Sequence, residues 1–333
     1  MEWKKATKLL SKNFANNREV VIKKFAMEFD NFRYDLIYAK RSRFILILDR
    51  SKAMNLHKRW DILHDSISEF LTQLPDNSEV SIITFAKNAI MHLPPTVITA
   101  NNRNGIIGRL PKRTSDESSV CLFCAFNVTF KALQDYQGQI QPATVIFVSG
   151  TEQKPGNLEI LAKLFENAQV QFFTISYPGT AFMEILDLSK ANGRHYTVHD
   201  GPSYLYTFSQ LSQIFTGILA NVEGKSYSTL HIQLFEELNI SGNFRIEDSA
   251  HEGFWISLLI ENPDHLQYFE LKSPSGQIKM FPHFMQGFVQ FHIRADSFES
   301  GTWTYTAVCY PDLDGLVPKT IVKVVTVDTS QMR

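Results

Sequence analysis

Two oxygen-bearing side chains, Asp49 and Ser51, stand two residues apart just past the apolar run Arg43-Phe44-Ile45-Leu46-Ile47-Leu48. Such a run reads as a buried strand of a parallel sheet, and in open α/β sheets the ligand crevice lies beyond the carboxyl ends of the strands. A carboxylate and a hydroxyl placed there could hold a hard cation, or meet a partner's carboxylate through one. Phosphoryl transfer from a strand-end aspartate is a weaker reading. It needs a second carboxylate as acid or base, and the Ser51 hydroxyl exchanges no proton readily near neutral pH. His195 and His199 could face the same way as metal ligands, but no third ligand is predicted beside them, so they read as ordinary hydrogen-bonded histidines. Cys121 and Cys124 have the spacing of a redox pair. They fall on the apolar side of a predicted helix over 120–136, which makes buried free thiols the expectation. His251-Glu252-Gly253-Phe254-Trp255 lacks the second histidine of a zinc-protease motif. No Gly-rich phosphate loop, catalytic Ser or Cys motif, or stacked-aromatic nucleic-acid signature accompanies them, and the chain is expected not to be an enzyme.

The elements that must position Asp49 and Ser51 follow from periodicity. Between 43 and 221, short β-rich runs (44–48, 80–85, 89–93, 144–148, 170–176, 195–198) alternate with helical periods (58–74, 120–136, 158–168, 182–192, 204–221). This pattern predicts an α/β unit: a doubly wound, mostly parallel sheet with helices on both faces. From 228 to 330 the runs become β-branched and aromatic with turn signals between them and no helical period, which predicts an antiparallel β-sandwich after a linker at 222–227. The 333 residues thus divide into two domains behind an N-terminal helical or extended segment, 1–42. A net charge of -1 offers no long-range attraction for nucleic acid. The eleven Lys or Arg against five Asp or Glu in residues 1–43 are scattered like a solvated helical face.

Asp49-Arg50-Ser51-Lys52-Ala53 resembles the first motif, Asp-x-Ser-x-Ser, of the metal-ion-dependent adhesion site (MIDAS) of von Willebrand factor type A domains, with Ala53 in place of the last serine. The resemblance puts Ser118 at the threonine of the family's second loop. It puts Ser149-Gly150-Thr151 at the Thr-Asp-Gly of the third, so that Gly150 replaces an aspartate. Only Asp49, Ser51 and Ser118 keep an oxygen, whereas a hard cation needs several. The expected site is degenerate, a weakened place for Mg²⁺ or Mn²⁺ that Glu152, Asp116 or Glu117 could supplement.

The type A domain is followed by a β module with Asp248-Ser249, Ser273-Pro274-Ser275-Gly276-Gln277 and Gly301-Thr302-Trp303-Thr304-Tyr305. That combination is similar to the calcium-activated chloride channel regulator family, whose phrases look like Asp-Ser, Asp-Pro-Ser-Gly-Gln and Gly-Thr-Trp-Lys-Tyr. Members of that family are secreted or surface-associated, carry a self-cleaving zinc metalloprotease domain at the amino terminus, and modulate chloride conductance through a channel. No protease part is found here, so a truncated paralogue or an incomplete gene model is expected.

The resemblance implies a noncatalytic protein-interaction module, of a cell-adhesion type, that meets a membrane channel or an extracellular ligand through Asp49, Ser51, Ser118 and Glu152. It implies a secreted or extracellular location. Yet the start Met1-Glu2-Trp3-Lys4-Lys5 lacks the apolar core of a signal peptide. If Met1 is the true start, the chain is cytoplasmic, and the alternative is an intracellular type A component of an ATPase or hydrolase assembly. No apolar run approaches the ~20 residues of a spanning helix. The glycan acceptor patterns at Asn127 and Asn239 matter only for a secreted chain.

Overall fold

The apolar run around Ile45 becomes the centre of a six-stranded sheet because both of its faces find helices to bury against. The computed structural model describes residues 27–29, 32–34, 41–135, 137–151, 165, 169–177, 193–201, 203–224, 226–247, 253–260, 265–281, 288–294, 299–311 and 315–328. Within 1–42, strands β1 (Met27–Phe29) and β2 (Phe32–Tyr34) pair antiparallel. Strand β3 (Arg43–Asp49) is followed by a 3₁₀ turn (Lys52–Lys58), helix α1 (Arg59–Gln73), β4 (Glu79–Phe85) and β5 (Ala89–Val97). Then come a short helix α2 (Arg103–Ile107), α3 (Leu122–Leu133), β6 (Thr144–Ser149), β7 (Gln171–Ser176), β8 (His195–Thr197) and α4 (Tyr204–Glu223). The sheet runs in the order β5-β4-β3-β6-β7-β8, all parallel except the β5 edge, which tolerates Pro94 and Pro95. The helices predicted at 158–168 and 182–192 lie outside the described residues, save Phe165.

Alternation along β3 divides the core. Phe44, Leu46 and Leu48 pack with Trp60, Leu63 and Phe70 of α1 and with Phe208 and Phe215 of α4, while Ile45 and Ile47 face Ala125 and Phe126 of α3. The chain leaves β3 toward β4 on one side and, after β5, crosses over to β6 on the other, so the topological switch point falls between the ends of β3 and β6. That is where Asp49 and Ser149 end their strands.

Helix α4 stops at Gly224, which takes a positive φ of 64° as a left-handed cap, and β9 (Ser226–Phe235) starts two residues later. The predicted linker therefore overlaps the last turn of a helix and the first residues of a strand. Strands β10 (Asn239–Ile246), β11 (Gly253–Ile260), β12 (Leu266–Lys272), β13 (Ile278–Phe281), β14 (Phe288–Arg294), β15 (Gly301–Cys309) and β16 (Thr320–Asp328) complete two antiparallel sheets, β14-β11-β16-β9 and β10-β15-β12-β13. Their shared core holds Phe254, Ile256, Phe269, Trp303 and Tyr305. Of the quoted β-module phrases, Trp303 is fully buried and its indole donates to the Glu299 carbonyl at 2.8 Å. Ser273–Gln277 forms a turn with Gly276 at φ 89°, and Asp248-Ser249 lies outside the described residues.

Every residue of β11 is buried, unlike a half-solvated antiparallel strand. Phe254, Ile256 and Leu258 face the sandwich interior, whereas Leu259 joins the core of the α/β unit and Ser257 reaches Glu69 of α1 at 3.4 Å. At the same seam Lys323 of β16 donates to Ser212 of α4 at 2.7 Å and lies 3.9 Å from Glu69 Oε1, which also accepts from Gln73 at 3.2 Å.

Candidate functional site

Asp49 ends β3 with no solvent exposure, and the parallel neighbours supply its partners. Its Oδ1 accepts the Ser51 amide at 2.8 Å, and its Oδ2 accepts the Gly150 amide at 3.0 Å and the Ser149 hydroxyl at 3.3 Å. Burial pushes the carboxyl pKa above its ordinary value, and these hydrogen bonds only partly oppose it. Ser51 is equally sealed. Its hydroxyl stabilises the Asp49 charge somewhat but has no well-aligned hydrogen-bond partner.

What seals the crest is the segment after Ser51. The 3₁₀ turn tucks Met54 inward, then His57 and Lys58 adopt positive φ (49° and 57°), a kink that re-aims the chain into α1. Arg59, the first residue of α1, is thereby turned into the protein at 6% exposure. Its Nε donates to Asp200 Oδ1 at 2.9 Å, its Nη2 pairs with Oδ2 of the same carboxylate, and its guanidinium lies 4.5 Å above the Tyr177 ring. Burial, helped by Asp200 and Asp49, pushes the Tyr177 phenol pKa up against the opposing pull of Arg59. A Cβ on Gly150 would stand 2.4 Å from Met54 Sδ and 3.7 Å from Arg59 Nη1. The space that an aspartate would use is filled by a thioether with a cation behind it.

The loop of residues 111–121 lies over the same end of the sheet. Ser115 N donates to Arg50 O at 2.6 Å, Lys52 N to Glu117 O at 2.9 Å, and Thr114 Oγ1 to Asn55 Oδ1 at 2.6 Å. Asp116, Glu117 and Ser118 are exposed. The predicted site residues are thus split between levels: Asp49 and Ser51 form a buried floor, Ser118 sits on the rim, and Glu152 lies outside the described residues. Sequence reasoning missed Met54, Arg59, Tyr177 and Asp200. Arg59 and Asp200 are 141 positions apart, and no local spacing links them.

A divalent cation fits this donor set poorly. Gly150 brings no oxygen, the Met54 sulfur is a soft neighbour for a hard ion, and the Arg59 guanidinium repels a second cation. No group of three or more His, Cys, Asp or Glu side chains able to hold a metal occurs among the described residues.

The expectation of free thiols at 121 and 124 is overturned: Cys121 and Cys124 form a disulfide, and only Cys309, buried, is a free thiol among the described residues. Helix α3 begins at Leu122, so its buried stripe runs through Leu122, Ala125, Phe126, Thr129 and Leu133 and leaves both cysteines half-buried at its edge. His195 is a hydrogen-bonded histidine, with Nδ1 2.7 Å from Thr174 Oγ1 and its pKa lowered by burial. His251 and Glu252 lie outside the described residues. Asn127 and Asn239 both face solvent.

The sequence profile of the von Willebrand factor type A domain matches residues 44–153, and the chain carries such a domain, a protein-interaction module fold, followed by the antiparallel sheets. Among solved structures, a von Willebrand factor type A protein from Catenulispora acidiphila aligns at 10% identity and TM-score 0.46, over 87% of this chain and 59% of that one. Proximal thread matrix protein 1 from the mussel byssus, with a zinc-occupied MIDAS motif, aligns at 14% identity and TM-score 0.45, over 54% of this chain and 45% of that one. The SpRpn10 VWA domain aligns at 15% identity and TM-score 0.40, over 53% of this chain and 95% of that one. The chain thus spans 59% and 45% of the first two. No curated protein matches it. Among the described residues no helix is long and apolar enough to cross a membrane.

Proposed function

We propose that this chain is a noncatalytic interaction protein of the chloride channel regulator kind, which binds its partner through the rim of a degenerate MIDAS without a metal ion. The observation that carries the reading is the plug: Met54 and Arg59 occupy the place where the third-loop aspartate and the ion would meet. With Asp49 and Ser51 sealed as a floor, recognition falls to the exposed Asp116-Glu117-Ser118 loop tied down over them. Such a surface binds by hydrogen bonds and apolar contact and needs no divalent ion. A membrane channel or extracellular ligand is the partner class, and a secreted or surface location follows from the same resemblance. The Cys121–Cys124 disulfide suits an oxidising compartment.

The test combines calorimetry with electrophysiology on the full chain. Titration of the wild type with Mg²⁺ or Mn²⁺ is expected to give no saturable heat, because Met54 fills the gap beside Gly150. Purified protein applied to cells expressing a calcium-activated chloride channel is expected to change the current equally with and without external divalent ions, and Ser118→Arg to weaken the change. A saturable isotherm abolished by Asp49→Ala would refute the metal-free reading, and an unchanged current would remove the channel assignment.

A further inference from the structure

We propose that the Cys121–Cys124 disulfide is a thiol–disulfide exchange site, open to protein and peptide dithiols that carry an apolar side chain. The proposal is independent of the recognition rim and rests on where the pair sits. Cys121 is the N-cap of α3, a 12-residue helix, and its Sγ accepts the Cys124 amide at 3.2 Å. The first amides of a helix have no carbonyl partners within it and carry the positive end of the helix dipole. A thiolate released at Cys121 therefore finds a donor already aimed at it, and no acidic residue in the first turn opposes the charge.

Two further observations separate this pair from a structural staple. Its sulfurs are three positions apart, so the bond closes one of the shortest loops possible and restrains the unfolded chain very little. Meanwhile α3 is anchored through Leu122, Ala125, Phe126, Thr129 and Leu133, all buried without help from the disulfide. Between the cysteines, Phe123 is 69% exposed, the highest value among the exposed large hydrophobic residues described. An aromatic ring in water beside a half-buried disulfide is an apolar platform next to a reactive bond. By contrast Cys309 lies inside the sandwich with only 3% exposure, out of reach of any incoming thiol.

The chemistry balances as a two-electron exchange. A partner thiolate attacks Cys121 Sγ, a sulfur–sulfur bond forms between them, and the Cys121–Cys124 bond breaks with its electron pair leaving on Cys124, which takes a proton from water. The partner's second thiolate then attacks its own sulfur in the mixed disulfide and releases Cys121 as a thiolate. The partner dithiol departs as a disulfide, and the cysteine pair is left reduced.

The test equilibrates the full, folded chain with graded mixtures of reduced and oxidised glutathione, followed by acid quench, alkylation and peptide mass analysis. The pair is expected to pass from oxidised to reduced within the range of glutathione mixtures, with folding unchanged by circular dichroism. A pair that stays oxidised throughout, or that reduces only when the chain unfolds, would overturn the proposal. Single variants assign the roles: with Cys124→Ser, the Cys121 thiol is expected to react with iodoacetamide at pH 7 at least tenfold faster than Cys124 does in Cys121→Ser, and equal rates would also overturn it. Phe123→Ser is expected to slow exchange with a dithiol peptide bearing an adjacent Phe several-fold more than it slows exchange with glutathione. An equal loss with both reagents would remove the platform role.

Discussion

Asp49 and Glu69 are both carboxylates sealed from solvent, at 0% and 1% exposure, yet the two ends of the α/β domain hold them by different means. At the crest, Asp49 is surrounded by neutral donors from its own and the adjacent strand loops, and the nearby guanidinium of Arg59 is committed to Asp200. At the seam, Glu69 faces Lys323 from the other domain, with Gln73 and Ser257 as further donors. A buried carboxylate held by neutral dipoles can give up its charge locally by taking a proton. One opposed by a buried ammonium across a domain boundary makes the two domains depend on each other. The crest is therefore a closed floor under the 111–121 loop, and the seam ties the type A domain to the sandwich through Glu69, Lys323, Ser212 and Ser257.

The sharpest way to break this contrast is Lys323→Met. It leaves Glu69 buried without its cation, and removing one member of a buried pair costs about 3–5 kcal/mol. Urea unfolding at pH 7 should register that loss, and the double variant Glu69→Leu/Lys323→Met should recover most of it, because apolar replacement of both members relieves the desolvation. A single variant no worse than the double one would mean that water already solvates the seam. Glu69 Oε2 has no hydrogen-bond partner, which adds to the desolvation that the double variant relieves.

A smaller effect is expected at the crest, and it is a matter of pH. The native pKa of Asp49 is raised by burial, so between the unfolded value of about 3.9 and the native value the folded state holds more proton than the unfolded one. Stability from this group is then greatest in acid and falls as pH rises through that window, by at most about 1.4 kcal/mol per pH unit. Asp49→Asn removes the titration. Urea midpoints measured from pH 4 upward should show the wild type losing ground to the variant until Asp49 is fully ionised, then a constant difference. A difference that grows in the wild type's favour with rising pH would mean that the crest prefers the charged form, as a metal site does.

The sequence made the crest legible only as far as strand patterns reach. The run ending at Leu48 and the run ending at Val148 identify the central strands, and strand-end geometry brings Asp49 and Ser149 together. The plug was invisible because it depends on a turn with two left-handed residues, His57 and Lys58, that carry no glycine to announce them. The disulfide was misread because the buried stripe of α3 runs through Leu122, Ala125, Phe126, Thr129 and Leu133, which leaves Cys124 at its edge, and because the helix starts at Leu122, which makes Cys121 a cap. In the sandwich, Ser241-Gly242-Asn243 reads as a turn but lies inside β10, paired with β15. Gly242 is needed there because a Cβ would stand 2.2 Å from the Tyr305 hydroxyl. The seam was written more openly, since the near-continuous apolar run Gly253–Ile260 is what a strand covered on both faces requires.

The smallest expected effect sharpens the comparison most directly, because it changes only burial. Lys319 stands four residues before Lys323 and pairs with Glu236 at 3.1 Å, closer than Lys323 approaches Glu69. Distance alone would rank the Lys319 pair as the stronger. Its side chains are 48% and 60% exposed, however, against 6% and 1% at the seam, so water and salt screen the attraction and solvate either partner once the other is gone. Lys319→Ala should therefore shift the unfolding free energy by no more than about 0.5 kcal/mol, and that shift should vanish in 1 M salt. A loss comparable to that of Lys323→Met would show that the β9–β16 edge is covered in solution, with desolvation reaching the outer side of the sandwich as it does the seam.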